Sequence, residues 1–426
     1  MTIPRLSRAL PTGLASLTLL TLPLAAEEPC CKDSAETTQT LAFSGLTGDW
    51  GGLRSSLQER GFDFAGSYIA ETFGNPKGGI KRSMVFDGLL KLSLDVNLEK
   101  AAGWQGTAFR ISGLYPHGTS GSDGKVGDAA IFSNIDSYDT YRLVDFWVEQ
   151  KFLDGKLGLK VGQMRVDDEF GVTDTASLFI NSTFGIPNPA ATPMPLGIYP
   201  IGSLGIRLKA EPLEGLYALA GIYDGNPSPS DFADPTDGTR ANGARHGTDW
   251  AMRKSEGTLY TGELGYQRPN GPYPGAIRFG FLRHSDDFAD TSPTPGANHS
   301  SSTAYYYVLD QTLWQKSKES KEGLSAFLRG TMAPKGSSTM DETTQVGVVY
   351  TGLMESTDSL GLAWAHNRFS PNSNNQDREN IAELTYSFAV TPYLRVQPDI
   401  QYINHPGGTT VHNNAWVLGI RASVNF

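Results

Sequence analysis

The sequence predicts an all-β protein: a transmembrane antiparallel β-barrel of about 16 strands, with long outer loops, short periplasmic turns and a short N-terminal helix. Three observations carry that expectation. Apolar and polar residues alternate with a period of two in many segments. Short and long gaps alternate between those segments. After the N-terminus, no apolar run approaches the ~20 residues of a membrane-spanning helix.

Composition narrows the field first. Of 426 residues, 48 are Gly and 25 Pro, aromatics make up 10% and charged residues only 19%. That balance argues against disorder, which goes with few aromatics and high charge, and against a helix-rich enzyme. With mean hydropathy −0.30 and no long apolar run, a polytopic helical membrane protein is excluded. The net charge of −10 argues against nucleic acid as a partner.

Residues 1–26 read as a secretory signal peptide. Arg5 and Arg8 precede an apolar stretch, Ala9 to Leu24, that ends at Ala25-Ala26. Its removal leaves 33 basic against 45 acidic residues, a net charge of about −12. Cys30 and Cys31 are adjacent and cannot staple a fold, so the fold is expected to stand without disulfides. Residues 27–61 are expected to form a periplasmic N-terminal segment, and 62–426 the barrel.

The alternation is clearest in 90–99. Leu90, Leu92, Leu94, Val96 and Leu98 fall on one face, Lys91, Ser93, Asp95, Asn97 and Glu99 on the other. It returns in 394–402 and in 416–426. Candidate strands lie near 62–71, 89–99, 106–113, 142–152, 156–164, 203–210, 215–223 and 258–267. The remainder lie near 275–283, 304–314, 322–331, 344–352, 358–366, 379–389, 392–402 and 414–426. Gaps such as 153–155 and 390–391 are short, whereas 72–88, 114–141, 165–202 and 224–257 are long. Turns short on one side and loops long on the other are the pattern of an outer-membrane barrel.

Physical chemistry gives the faces their roles. In hydrocarbon every backbone N–H and C=O needs a partner, and a closed barrel supplies one with no free edge. The apolar face then meets lipid and the polar row lines the lumen. Sixteen strands enclose too wide a space for side chains to fill, which leaves a water channel. Aromatics such as Phe62, Tyr68, Phe152, Tyr266, Tyr402 and Trp416 suit the interfacial girdles.

The longest gap, 165–202, carries Phe170, Leu178, Phe179, Ile180 and Phe184. That is too apolar for a disordered loop, so it is expected to fold inward and set the constriction; a surface cap over the mouth is the alternative. Inward ionisable residues are expected in both signs: Asp95, Glu99, Arg110, Asp145, Glu149, Lys160, Arg207, Lys209, Glu263, Arg278, Arg329, Glu383, Arg395, Asp399 and Arg421. For any one of them the plain reading is solvation of the lumen. Together they offer a hydroxylated solute forks of donors and pairs of acceptors, with Trp147 as a stacking ring. Arg and Lys are not in clear excess, so the row carries no sign of strong anion selectivity.

Motifs for chemistry are absent. The chain has no HExxH, GxSxG, P-loop or CxxC, and its seven His lack metal-ligand spacing. No enzyme activity, catalytic residue, metal or cofactor is expected.

Three segments resemble the carbohydrate-selective porin family of Gram-negative outer membranes, the OprB type. The first runs from Leu46-Thr-Gly-Asp49-Trp50-Gly-Gly-Leu-Arg54 to Arg60-Gly61. The second, Thr391-Pro-Tyr-Leu-Arg-Val-Gln-Pro-Asp399 through Pro406-Gly-Gly, is followed by Asn414 to Arg421 and the terminal Phe426. The third is Lys160-Val-Gly-Gln163-Met-Arg-Val-Asp-Asp-Glu169-Phe170, with Gln163-Met164 where many members carry Lys-Gln. The resemblance implies an outer-membrane location and passive, binding-facilitated diffusion of small sugars and polyols into the periplasm. It implies Phe426 as a signal to the barrel-assembly machinery, and leans toward a monomer, with a trimer as the alternative. Rival readings are a general or organic-acid-tolerant porin, an adhesin or sensor barrel, and a secreted carbohydrate-binding protein.

Two expectations follow for particular residues. Leu53 and Leu57, four apart with charges between, predict a short amphipathic helix bracing the barrel base, with Trp50 as its anchor. For solute contact at the constriction the candidates are Arg165, Asp167, Asp168, Glu169, Arg110 and Trp147.

Overall fold

The structure, a computed structural model, describes residues 45–185, 188–191, 193–227, 246–292, 296–318, 320–373 and 375–426. The expected signal segment and Cys30–Cys31 lie outside the described residues.

Among the described residues sixteen strands form one closed barrel in which every neighbour is antiparallel and β1 meets β16. The first eight are β1 Phe62–Gly79, β2 Met84–Asn97, β3 Thr107–Gly118, β4 Arg142–Phe152, β5 Leu157–Met164, β6 Ser203–Leu213, β7 Leu216–Asp224 and β8 Thr258–Arg268. The second eight are β9 Gly275–His284, β10 Ser302–Gln315, β11 Gly323–Met332, β12 Met340–Thr351, β13 Ser359–Phe369, β14 Arg378–Thr391, β15 Leu394–Asn404 and β16 Asn413–Asn425. No helix among the described residues is long and apolar enough to cross a membrane.

Alternation becomes two faces through the register. Leu94 of β2 pairs with Ile111 of β3 on the outside, and the next pair, Asp95 with Arg110, points inside. The outward row is left exposed strand after strand, as at Leu92, Leu264, Phe279, Leu362 and Ile420. In water such a belt would be unstable; in a bilayer it is the apolar band of a barrel. Phe152, Tyr266 and Trp416 lie exposed near strand ends, where a girdle is expected. Tyr68 does not: it sits within β1, its hydroxyl 3.0 Å from His117 Nε2.

Three local expectations need correction. The gap 72–88 is no long loop, because β1 and β2 run on to leave only 80–83 between them. Asn75 closes that turn, its Oδ1 accepting from both N and Oγ of Ser83 at 2.8 Å. Pro76 falls at the register shift between Gly74 and Lys77, where a missing N–H breaks no ladder. Glu99 is not a lumen residue. β2 stops at Asn97, which caps a short helix, α2 (Leu98–Ala102), by accepting from Lys100 N at 3.0 Å.

The third correction concerns the N-terminal helix, α1 (Leu53–Glu59). Its Leu53 is more than half exposed, and Trp50, also exposed, leans on Phe64, ring centres 6.2 Å apart, with the Arg54 guanidinium over its ring at 5.4 Å. Arg54 is the anchor. Its guanidinium donates to Phe426 O at 3.0 Å and Phe64 O at 2.9 Å, tying the helix to the start of β1 and the end of β16.

Candidate functional site

Two loops turn into the barrel, and the space they leave defines the site. The β5–β6 connection, 165–202, lies along the inner wall of β8–β15. Wall carboxylates take its backbone donors: Glu263 from Gly171 N at 2.8 Å, Asp310 from Thr175 N at 2.9 Å, and Glu383 from Ile180 N and Asn181 N at 2.6 and 3.0 Å. Arg329 supplies the opposite polarity, donating to Phe184 O at 2.7 Å. Phe179 and Phe184 pack with Phe327 of β11 at 5.8 and 6.1 Å between ring centres. A buried loop must satisfy its own backbone, and here the wall does it.

The β3–β4 connection, 119–141, does the same against β14, β16 and β1. Glu379 accepts from Ala129 N and Ala130 N at 2.9 Å, and Phe132 packs on Phe73 at 5.5 Å. Arg421 of β16 is fixed by Glu71 of β1 at 2.6 Å and donates to Asn134 Oδ1 at 2.8 Å. The loops also join each other, Asn134 N to Ile180 O at 2.8 Å and Ser182 N to Ile131 O at 2.9 Å. No inward role is expected for 119–141 from the strand pattern. Its signal was the one used for 165–202: Val126, Ala130, Phe132 and Ile135 are apolar residues in a long loop, and all four are buried.

The inward rows of β2–β6 carry charges of both signs and face residues 165–169. Arg110 lies 3.6 Å from Asp95 and 3.9 Å from Asp145. Across β4, β5 and β6 a single rung holds Glu149, Lys160 and Arg207 in register. Glu169 descends onto it, ion-paired with Lys160 and Arg207, while Arg207 reaches Glu149 at 2.7 Å. Arg165 grips Asp168 through two nitrogens, the Nε contact being 3.0 Å. Trp147 stands opposite Arg110 in the β3–β4 register and lies under Lys160, 4.1 Å from ring centre to ammonium. Gly162 beside it has φ +138°, and a Cβ there would meet Trp147 Cα at 2.7 Å.

Five of the six predicted site residues therefore converge on one stretch of wall; the sixth, Asp167, lies in the same loop segment with its Oδ2 3.5 Å from Tyr199 N of that loop. Glu149, Lys160 and Arg207, expected only as lumen charges, belong to the same network. Five other expected lumen residues, Glu263, Arg329, Glu383, Asp399 and Arg421, are buried under the loops. Burial alone would raise the Glu169 carboxyl, but Lys160 and Arg207 outweigh it and hold the group below its ordinary value. Asp167 goes the other way. Desolvation pushes it up to about 6 against the pull of Arg165, and its Oδ1 has no hydrogen-bond partner.

A closed sixteen-stranded barrel with a lipid-compatible belt, two inward loops and a charged lining is the architecture of an outer-membrane-type diffusion porin. Comparison with known proteins narrows the class. Residues 81–426 match the family model for the carbohydrate-selective porin, OprB family, and the chain belongs to that family. It is 27% identical to Porin B of Pseudomonas aeruginosa, over 89% of this chain and 91% of that one. It is 24% identical to the putative porin QuiX of Acinetobacter baylyi, over 89% and 93%. Among solved structures, the high-pH form of Pseudomonas putida OprB superposes with a TM-score of 0.81 at 24% identity, covering 90% of this chain and 98% of that one. The low-pH form gives 0.59 at 21% identity, with the same coverage.

Proposed function

We propose that the passage between residues 165–169 and the inner wall of β3–β6 is the constriction at which sugars are recognised, in Arg110, Trp147, Arg165, Asp167, Asp168 and Glu169. One observation carries this reading: Arg110, Lys160, Arg165 and Arg207 each lie within ion-pair distance of a carboxylate. A lining so compensated exerts little net pull on an ion, yet it presents fixed donors beside fixed acceptors. A neutral polyol that sheds water there regains hydrogen bonds of both kinds. Binding is weak enough to release, so transport is facilitated diffusion down a gradient.

The family and the fold support a wider setting for this reading. The barrel sits in the outer membrane of a Gram-negative bacterium, with its short turns, the α1 helix and the chain end on the periplasmic side. Sugars are its solutes and lipid its surroundings. Phe426 serves assembly by the barrel machinery, and the barrel works as a monomer without enzymatic chemistry.

Single-channel conductance in a planar bilayer, with glucose titrated into the bath, tests the reading. The expected result is a stable conductance that falls saturably with glucose. Conductance indifferent to sugar would leave a general porin; none from folded, heat-modifiable protein would point to a plugged or adhesive barrel.

A further inference from the structure

A second polar cavity of about 580 Å³ lies away from the charged passage, between residues 174–178 of the inward loop and the short-turn ends of β11–β16. Its lining differs in kind. Hydroxyls dominate: Thr175, Ser325, Thr351, Ser359, Ser387 and Ser423 all contribute. Ser325 is tied to Thr312 and Thr351 to Ser359, each by one contact of 3.2 Å. A hydroxyl can donate once and accept twice, so these groups keep capacity to spare.

Charge is also arranged differently. At the passage Arg110, Lys160, Arg165 and Arg207 each have a carboxylate; here Arg395 and Lys321 have none within ion-pair distance among the described residues, and Asp174 is the one acid in the lining. Arg395 is nonetheless held in place. Its Nε and Nη2 donate to Ser387 Oγ at 3.2 Å and Nη2 also reaches Thr357 O at 3.0 Å, while Nη1 makes no hydrogen bond among the described residues. A positioned guanidinium with one nitrogen unspent, in a cavity also lined by a lysine and a bank of hydroxyls, fits a polyhydroxylated molecule that carries one anionic group.

We infer that this cavity is an exit-side subsite for sugar acids, polyhydroxy carboxylates of aldonate type. It goes beyond the neutral-sugar reading and rests on different residues. Carboxylate is held at Arg395 Nη1 with help from Lys321, and the solute hydroxyls exchange hydrogen bonds with the serine and threonine row.

The test uses the full-length barrel in planar bilayers at fixed KCl, with gluconate, glucose or acetate added on the short-turn side. Gluconate should reduce conductance saturably, and acetate, which has the charge but not the hydroxyls, should act at least tenfold more weakly. Arg395→Gln should raise the gluconate half-saturation at least fivefold and leave the glucose response within twofold of wild type. Because Arg395 also braces the β12–β13 turn, Lys321→Gln serves as a second variant. That side chain is exposed and makes no hydrogen bond among the described residues, and its loss should raise the gluconate value about threefold. Gluconate without saturable effect, acetate matching it, or both variants leaving it unchanged would each overturn the inference. Loss of the glucose response in wild type alone would instead strike the constriction reading and leave this one standing.

Discussion

The Lys160 ammonium lies 4.1 Å from the centre of the Trp147 indole while remaining ion-paired with Glu169. The ring therefore already has a cation on one face, and Glu169 holds that cation there. In the sequence the same ring reads as a free platform for a sugar. Folded, it is half of a composite surface, aromatic and cationic at once. Trp147→Ala should remove the support under Lys160 at a cost of about 1 kcal/mol, roughly fivefold in glucose half-saturation. A glucose titration in bilayers checks this, and an unchanged value would make Trp147 a wall residue only.

Arg165 and Arg207 look alike in sequence and should behave differently. Arg207 is almost fully buried between Glu149 and Glu169, whereas Arg165 pairs with an exposed Asp168. Arg207→Gln leaves two carboxylates with only Lys160 between them, a loss of about 3–5 kcal/mol. Arg165→Gln should cost no more than about 1 kcal/mol and mainly weaken glucose binding. The temperature at which the compact gel band converts to the unfolded one reads the first effect; conductance reads the second.

The passage should change its ion preference between pH 7.5 and 5. Asp167, with its carboxyl pushed up to about 6, is charged at the upper limit and neutral at the lower. Protonation removes a negative charge beside Arg165, so the cation-to-anion permeability ratio should fall as pH drops, with a midpoint near 6. Glu169, held below its ordinary value, stays charged through the window and adds no step. Reversal potentials in a KCl gradient measure the ratio, and Asp167→Asn should show the low-pH value throughout. A step that survives in that variant would assign it to another group.

Topology has its own test in adjacent residues of β2. Leu92 is 55% exposed on the outer face, and Ser93 lies on the inner row. Leu92→Arg should cost roughly 2–4 kcal/mol in a bilayer, while Ser93→Arg should be tolerated. Urea unfolding of vesicle-reconstituted barrel compares the two. Asn97 is unsuited as the inner control, since it caps α2 and its loss would cost about 1 kcal/mol whichever way it faced. Equal effects at 92 and 93 would remove β2 from the lipid boundary.

The sequence by itself determined the architecture, because a strand's two faces are set by backbone pleat and need no knowledge of distant residues. Leu90 to Val96 declare their sides by alternation alone, and sixteen such segments with short turns admit little besides a closed barrel. Errors came where a local cue had a distant answer. Pro76 and its glycines read as loop, yet Asn75 and pairing with β16 carry the strand on to Gly79. Tertiary structure alone decided how the inward charges divide. Glu383 and Arg329 look no different in sequence from Glu149 and Arg207; closure of the barrel and the seating of two loops bury the first pair as loop anchors and leave the second in the charged network. Glu71 and Arg421, 350 residues apart, meet only because β1 and β16 complete the ring. Alternation is a property of neighbours in the chain, whereas a passage is a property of whatever the loops leave uncovered.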